Sequence, residues 1–134
     1  MAESPDIRVR FPPEDKALSH LHRAAFGSDD EGVLPWADRL RNHSLTWVGA
    51  FDGDELIGFV NVLSDGGSHA FLVDTVVHPA HQRRGLGAAI VRTAAAEAAG
   101  AGCIWLHVDY EPAGADFYLQ ACGFRRTEAG LLRL

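Results

Sequence analysis

Cysteine is nearly missing from this chain: among 134 residues only Cys103 and Cys122 occur. Two cysteines cannot make a disulfide framework, and in a reducing compartment both stay thiols. Lysine is scarcer still, with Lys16 standing alone. Long apolar runs are also lacking, since no stretch approaches the ~20 residues of a membrane helix. The opening MAESPDIRVRFPPEDK has no basic-then-apolar leader layout. These absences lead us to expect a cytoplasmic protein with no membrane partner. Seven histidines are scattered without HExxH or Cys/His spacing, so no metal site is expected. Positive charge is in deficit, 12 basic against 18 acidic side chains and a net −6. That balance argues against nucleic acid as a partner, and any basic site must be local.

What remains is a chain of 47% hydrophobic residues, long enough for one domain over residues 1–134 that buries about two-thirds of its unfolded surface. Ile7-Arg8-Val9-Arg10-Phe11 alternates like a half-buried strand and stops at Pro12-Pro13. A helix follows from Glu14-Asp15 to Phe26, and a second short one over residues 36–43. TWVGAF (46–51) and ELIGFVNVL (55–63) flank Asp52-Gly53-Asp54, a hairpin signal, and AFLVDTVV (70–77) adds a third consecutive strand. Leu86, Ile90, Val91, Ala94 and Ala98 mark a long helix from Leu86 to Ala99, capped by Gly100 and Gly102. CIWLHV (103–108) has the near-continuous apolar character of a central strand. A last helix runs from Pro112 to Ala121, and residues 124–127 and 131–134 read as a closing hairpin. The predicted fold is α/β: a mixed, mostly antiparallel sheet flanked by helices, in the order β-α-α-β-β-β-α-β-α-β-β.

The segment joining the third sheet strand to the long helix, His78-Pro79-Ala80-His81-Gln82-Arg83-Arg84-Gly85-Leu86-Gly87-Ala88, carries the most chemistry. A helix's first turn has unpaired N–H groups and partial positive charge, so it binds a phosphate where small residues let the anion approach. Gly85, Gly87 and Ala88 leave that approach open, and Arg83 and Arg84 add charge suited to a pyrophosphate. The plain alternative is a solvated Arg pair beside a chance Gly-x-Gly. Ile90 occupies the third glycine position of a dinucleotide fingerprint and no lysine follows the glycines, so neither a Rossmann dehydrogenase nor a nucleotide hydrolase is indicated.

Downstream, LHVDYEPAGADFYLQACGF (106–124) ends in Phe117-Tyr118 and Gly123-Phe124. Together with Gln82-Arg83-Arg84-Gly85-Leu86-Gly87 this resembles the GNAT family of acyl-CoA-dependent N-acetyltransferases, whose loop reads Gln/Arg-x-x-Gly-x-Gly/Ala and whose C-terminal signature reads Asn-x-x-Ala-x-x-Phe-Tyr-x-x-x-Gly-Phe. The resemblance implies that Thr75, Val76 and Val77 line the acyl and pantetheine arm of acetyl-CoA through their backbone, and that Gln82 and Arg83 through Ala88 hold its pyrophosphate. Phe117 falls within the signature, and Tyr118 matches the family's general acid, with a core aromatic as its alternative. This chain departs from the pattern: Glu111 stands where the family has Asn, Gly114 where it has Ala, and one extra residue separates Phe117-Tyr118 from Gly123-Phe124. An attacking amine must lose a proton. His107, on a strand where some members carry Glu, and Asp74 are the competing candidate bases, with Glu111 and Asp109 behind them. Cys122 as an acyl-carrying nucleophile is discounted, because no histidine neighbours it in sequence.

The acceptor side is less informative. Phe26, Trp36, His43 and Trp47 are candidates for an apolar wall, and the acidic residues 27–32 for attracting a cationic amine or for a solvated loop. The leading expectation is transfer of acetyl to the primary amine of a small molecule or peptide in a ternary complex. A catalytically silent acyl-CoA-binding module and, more weakly, an RNA-binding domain using Arg83-Arg84 are the competing readings. Leu131-Leu132-Arg133-Leu134 is a candidate edge for a homodimer.

Overall fold

A computed structural model describes residues 5–27 and 32–134. The acidic loop expected to attract an amine lies mostly outside these residues. Five strands, β1 (Asp6–Val9), β2 (Ser44–Asp52), β3 (Glu55–Ser64), β4 (His69–Val77) and β5 (Trp105–Val108), form one sheet in chain order. The first three junctions are antiparallel and β4–β5 is parallel. This is the predicted mixed, mostly antiparallel sheet. Its hairpins need only short turns, as between β2 and β3, where Gly53 takes a φ of 60° that a side chain disfavours. The parallel junction needs a crossover, which α3 (Leu86–Gly100) supplies.

The helices cover both faces. On one face α3 turns Leu86, Ile90, Val91, Ala94 and Ala98 onto Val48, Ala50, Ile57, Val60, Val62, Ala70 and Leu72. Helix α1 (Asp15–Phe26) and helix α2 (Trp36–His43) cover the other, burying Leu18, Leu21, Trp36 and Leu40 with Phe11, Trp47, Phe51, Phe59 and Val76. Burying a side chain such as Leu, Ile or Phe contributes about 1.5–3 kcal/mol, so the period-2 strands and the 3.6-period helices fix each other's orientation. The two N-terminal helices are also tied by polar contacts: the Asp15 carboxylate accepts the Ala37 N–H in the first turn of α2 at 2.8 Å, and Ser19 Oγ accepts the Leu34 N–H at 2.9 Å.

Three expectations need correction. Residues 124–127 and 131–134 form no hairpin, and the described chain has no strand after β5. Two strands of four residues make too small a hairpin to stand without a surface to dock on, and Leu131, Leu132 and Leu134 are 84–109% exposed. For the same reason β5 is the outer strand of the sheet, not a central one, and Trp105 is half exposed. The predicted helix from Pro112 to Ala121 is broken into a 3-10 turn, Pro112–Gly114, and one π-helical segment, Asp116–Ala121. In the latter the Cys122 N–H reaches back to the Phe117 carbonyl at 3.0 Å, five residues away.

Candidate active site

The sheet parts at its C-terminal end. β4 and β5 stay in register only from His69↔Trp105 to Leu72↔Val108, while β4 runs on to Val77 without that neighbour. β4 also carries an extra residue against β3, whose Phe59 and Asn61 pair with Val76 and Val73. This bulge falls at Asp74, which has a φ of 58°, a conformation that Asp tolerates better than most side chains. The free stretch Val73–Val77 forms one wall of a wedge. Within it Val76 is buried among the aromatic residues of the α1/α2 face, and Val77 packs against the α3-side core.

Asp74 is held from two sides. Asn61, only 3% exposed, donates from Nδ2 to Asp74 Oδ2 at 3.1 Å, and its own Oδ1 accepts from Ser44 Oγ at 2.6 Å. Arg39 comes within 3.8 Å of the same carboxylate oxygen and lies 4.2 Å over the Trp36 ring. Sequence reasoning missed Asn61, Ser44 and Arg39. Asn61 had a signal: a lone amide inside ELIGFVNVL is a poor strand former, and once buried it must find partners.

The opposite wall is the Asp116–Ala121 segment. Tyr118 stacks on Tyr110 at 5.4 Å and meets Phe117 and Phe124 edge-on at 4.9 and 6.0 Å. Burial pushes its phenol above the ordinary tyrosine value, the nearby Cys122 adds to that, and a hydrogen bond with the Thr75 side chain opposes it. Tyr118 and Thr75 thus bridge the wedge. The Cys122 thiol is also pushed up by burial, with Arg92 opposing, the wrong direction for an activated nucleophile.

The floor of the wedge is the start of α3. After the 3-10 turn Pro79–His81, Gln82 Nε2 donates to the Val77 carbonyl at 3.1 Å and ties the loop to β4. Arg83 has a φ of 63°, and Arg84 Nη1 lies 3.1 Å from His81 Nδ1. Gly85 caps α3 at a φ of 78° without a side-chain acceptor for the first-turn N–H groups. The N–H of Ala89 is the one that reaches the Gly85 carbonyl; those of Leu86, Gly87 and Ala88 precede the first intrahelical bond. A Cβ on Gly85 would meet nothing within 4 Å, so a phosphate has room beside these donors and the two exposed guanidinium groups. Gly87 serves a different need: a Cβ there would come within 2.9 Å of two Phe117 ring atoms. It lets the Phe117 ring close on α3.

Other predicted residues lie elsewhere. His107 sits one residue pair before the sheet parts, its Nε2 2.7 Å from His69 Nδ1 and its ring stacked on Phe71 at 4.6 Å. Glu111 is exposed, its carbonyl accepting the Gly114 N–H at 2.8 Å. Trp47 is a core residue, donating to the Phe11 carbonyl at 2.9 Å, and Trp36, though largely buried, lines a cleft together with Phe26. His43 borders an open groove of about 610 Å³ with Leu63, Ser64, His69 and Phe71, whereas Phe26 flanks a smaller cleft beside His22. Among the described residues no group of three potential metal ligands gathers, and no helix is long and apolar enough to cross a membrane.

A mixed sheet that parts beside an uncapped helix start, with a phenol across the gap, defines an α/β domain of the acyltransferase class. The chain belongs to the GNAT acetyltransferase family, whose model matches residues 15–124. It is 40% identical over 85 residues to a mycothiol acetyltransferase of Mycolicibacterium smegmatis, covering 58% of this chain and 28% of that protein. It is 31% identical over 116 residues to one from Mycobacterium avium, covering 81% and 37%. The chain therefore spans about a third of the length of these curated relatives. A GNAT family acetyltransferase from Streptococcus pneumoniae superposes with a TM-score of 0.75 at 25% identity, covering 97% of each chain.

Proposed function

We propose that residues 1–134 act as one acetyl-CoA-dependent N-acetyltransferase domain, moving acetyl from the thioester to a primary amine of a small molecule or peptide by direct attack. The observation that carries this reading is the divergence of β4 from β5 directly above the uncapped start of α3. A long anionic thioester fits there, its diphosphate against the first-turn N–H groups, Arg83 and Arg84, and its acyl arm along Thr75, Val76 and Val77. A backbone N–H on that stretch polarises the thioester carbonyl and stabilises the oxyanion.

Asp74 accepts the amine proton: it directly precedes Thr75, and Asn61 and Arg39 fix its carboxylate. As the C–N bond forms and the C–S bond breaks, Tyr118 returns a proton to the departing thiolate. His107 is the competing base, favoured by its histidine neighbour. The two free thiols, Cys103 and Cys122, suit a reducing cytoplasm, and the net charge of −6 suits an acceptor other than nucleic acid.

Calorimetry with acetyl-CoA, followed by thiol release across an amine panel, tests the reading; the relatives' names put mycothiol-type acceptors on that panel. Saturable binding with turnover on at least one amine is expected. No binding at millimolar acetyl-CoA refutes it, and tight binding without turnover on any amine establishes the silent module instead.

A further inference from the structure

Among the described residues, three buried side-chain polar atoms have no hydrogen-bond partner: His22 Nε2, Arg23 Nε and Trp36 Nε1. All three belong to residues lining one cleft of about 160 Å³ between α1 and the start of α2. Buried polar groups are ordinarily paired, and three orphans gathered at one cavity call for one common explanation. The cleft itself is well fixed. Trp36 is only 3% exposed and stacks on the His22 ring at 4.3 Å, while Ser19 Oγ holds the Leu34 N–H at 2.9 Å on the rim. Phe26 is the loose wall, 71% exposed and 6.2 Å from the His22 ring. The three orphan atoms lie just beneath the cleft surface, and an exposed ring such as Phe26 changes rotamer readily enough to uncover them.

The polarity of these atoms narrows what can bind. His22 Nδ1 lies 2.8 Å from the Leu18 carbonyl, which can only accept, so in the neutral ring the proton sits on Nδ1 and Nε2 is an acceptor. Trp36 Nε1 and Arg23 Nε only donate. A carboxylate or phosphate has no hydrogen for Nε2, and an ammonium has no lone pair for the two donors. A hydroxyl meets both demands at one oxygen. The volume equals that of about five waters at about 30 Å³ each, room for a small polyol or one sugar ring with its C–H face against Phe26. We propose that this cleft binds a polyol or a single sugar ring, Trp36 Nε1 and Arg23 Nε donating to its oxygens and His22 Nε2 accepting from one of its hydroxyls. The site lies outside the wedge of β4 and β5 and does not rest on the acetyl-transfer reading.

A ¹H–¹⁵N NMR titration of the full chain with glycerol and with glucose, at about pH 8 where an ordinary imidazole is neutral, tests it. The Trp36 indole N–H, told from those of Trp47 and Trp105 by sequential assignment, should shift saturably with a Kd for glucose in the low-millimolar range, the order suited to about a dozen heavy atoms. His22→Phe keeps a ring on Trp36 but removes the acceptor, and Arg23→Met removes a donor; each should weaken glucose binding by about tenfold or more. The wild-type titration needs no variant, so misfolding of either leaves the test intact. No saturable shift at Trp36 with either polyol up to roughly 100 mM overturns the proposal. So does binding that both variants leave undiminished. Acetate and N-methylacetamide complete the series, and a shift at Trp36 with either of them but with neither polyol assigns the cleft to an anion or an amide and overturns it as well.

Discussion

Replacing Tyr118 by Phe removes one oxygen from a ring held by Tyr110, Phe117 and Phe124, so the packing stays and the hydrogen bond with Thr75 goes. A hydrogen bond of this kind contributes about 0.5–1.5 kcal/mol net, against a typical domain stability of about 5–15 kcal/mol. The variant should remain folded. Loss of a general acid costs about 10²–10⁴ in rate, or roughly 3–5 kcal/mol of barrier at 1.36 kcal/mol per tenfold. Rate loss and stability loss are therefore separable in size. Steady-state thiol release at saturating amine and acetyl-CoA should show kcat down by about a hundredfold or more, with acetyl-CoA affinity nearly unchanged by calorimetry. A kcat within about twofold of wild type would make Tyr118 a packing residue and refute the reasoning. The pH dependence carries a second check. Burial holds the phenol above the ordinary value of 10.0, so the acid form persists through neutral pH and activity should fall only on the far alkaline side. The same shift means that the folded state binds the proton more tightly than the unfolded one. Its contribution to stability is full below pH 10.0 and declines as pH rises through the folded value; that part of the alkaline loss should vanish in Tyr118→Phe.

Replacing both Arg83 and Arg84 by Ala should weaken acetyl-CoA binding by about 3- to 30-fold, since each exposed charge contributes roughly 0.3–1 kcal/mol; calorimetry at two salt concentrations should find the deficit smaller at high salt. Asp74→Asn should lower kcat/KM by about 10²-fold or more and remove the acidic limb of the pH–rate profile, because a base must be unprotonated to act. His107→Gln should keep that limb; the reverse pattern in a paired pH–rate series would transfer the base to His107.

Most of the fold was readable because its signals are local. Helix α2 and strand β3 follow from spacing and from Asp52-Gly53, and their ends fall within a residue of expectation. The closing hairpin failed for the opposite reason. Residues 124–134 contain the right residues for strands, but strand formation requires an edge to pair with, and no local pattern says which molecule supplies it. The site divides in the same way. Arg83, Gly85 and Tyr118 announce themselves through motif spacing, whereas the Ser44–Asn61–Asp74 chain joins β2, β3 and β4 and exists only after the sheet is paired.

The two glycines of Gly85-Leu86-Gly87 show how far a motif can be read physically. In sequence both look like clearance for an anion. In the fold Gly85 holds a φ of 78° over open space, while a Cβ on Gly87 would lie 2.9 Å from the Phe117 ring. An added methyl at Gly87 would push against a partly buried aromatic ring packed on the core, a change that costs about 1–3 kcal/mol in packing. Phe117 adjoins Tyr118, so that push would reach the phenol before it reached a phosphate. The second glycine therefore belongs to the packing that holds Phe117 and Tyr118 against the start of α3.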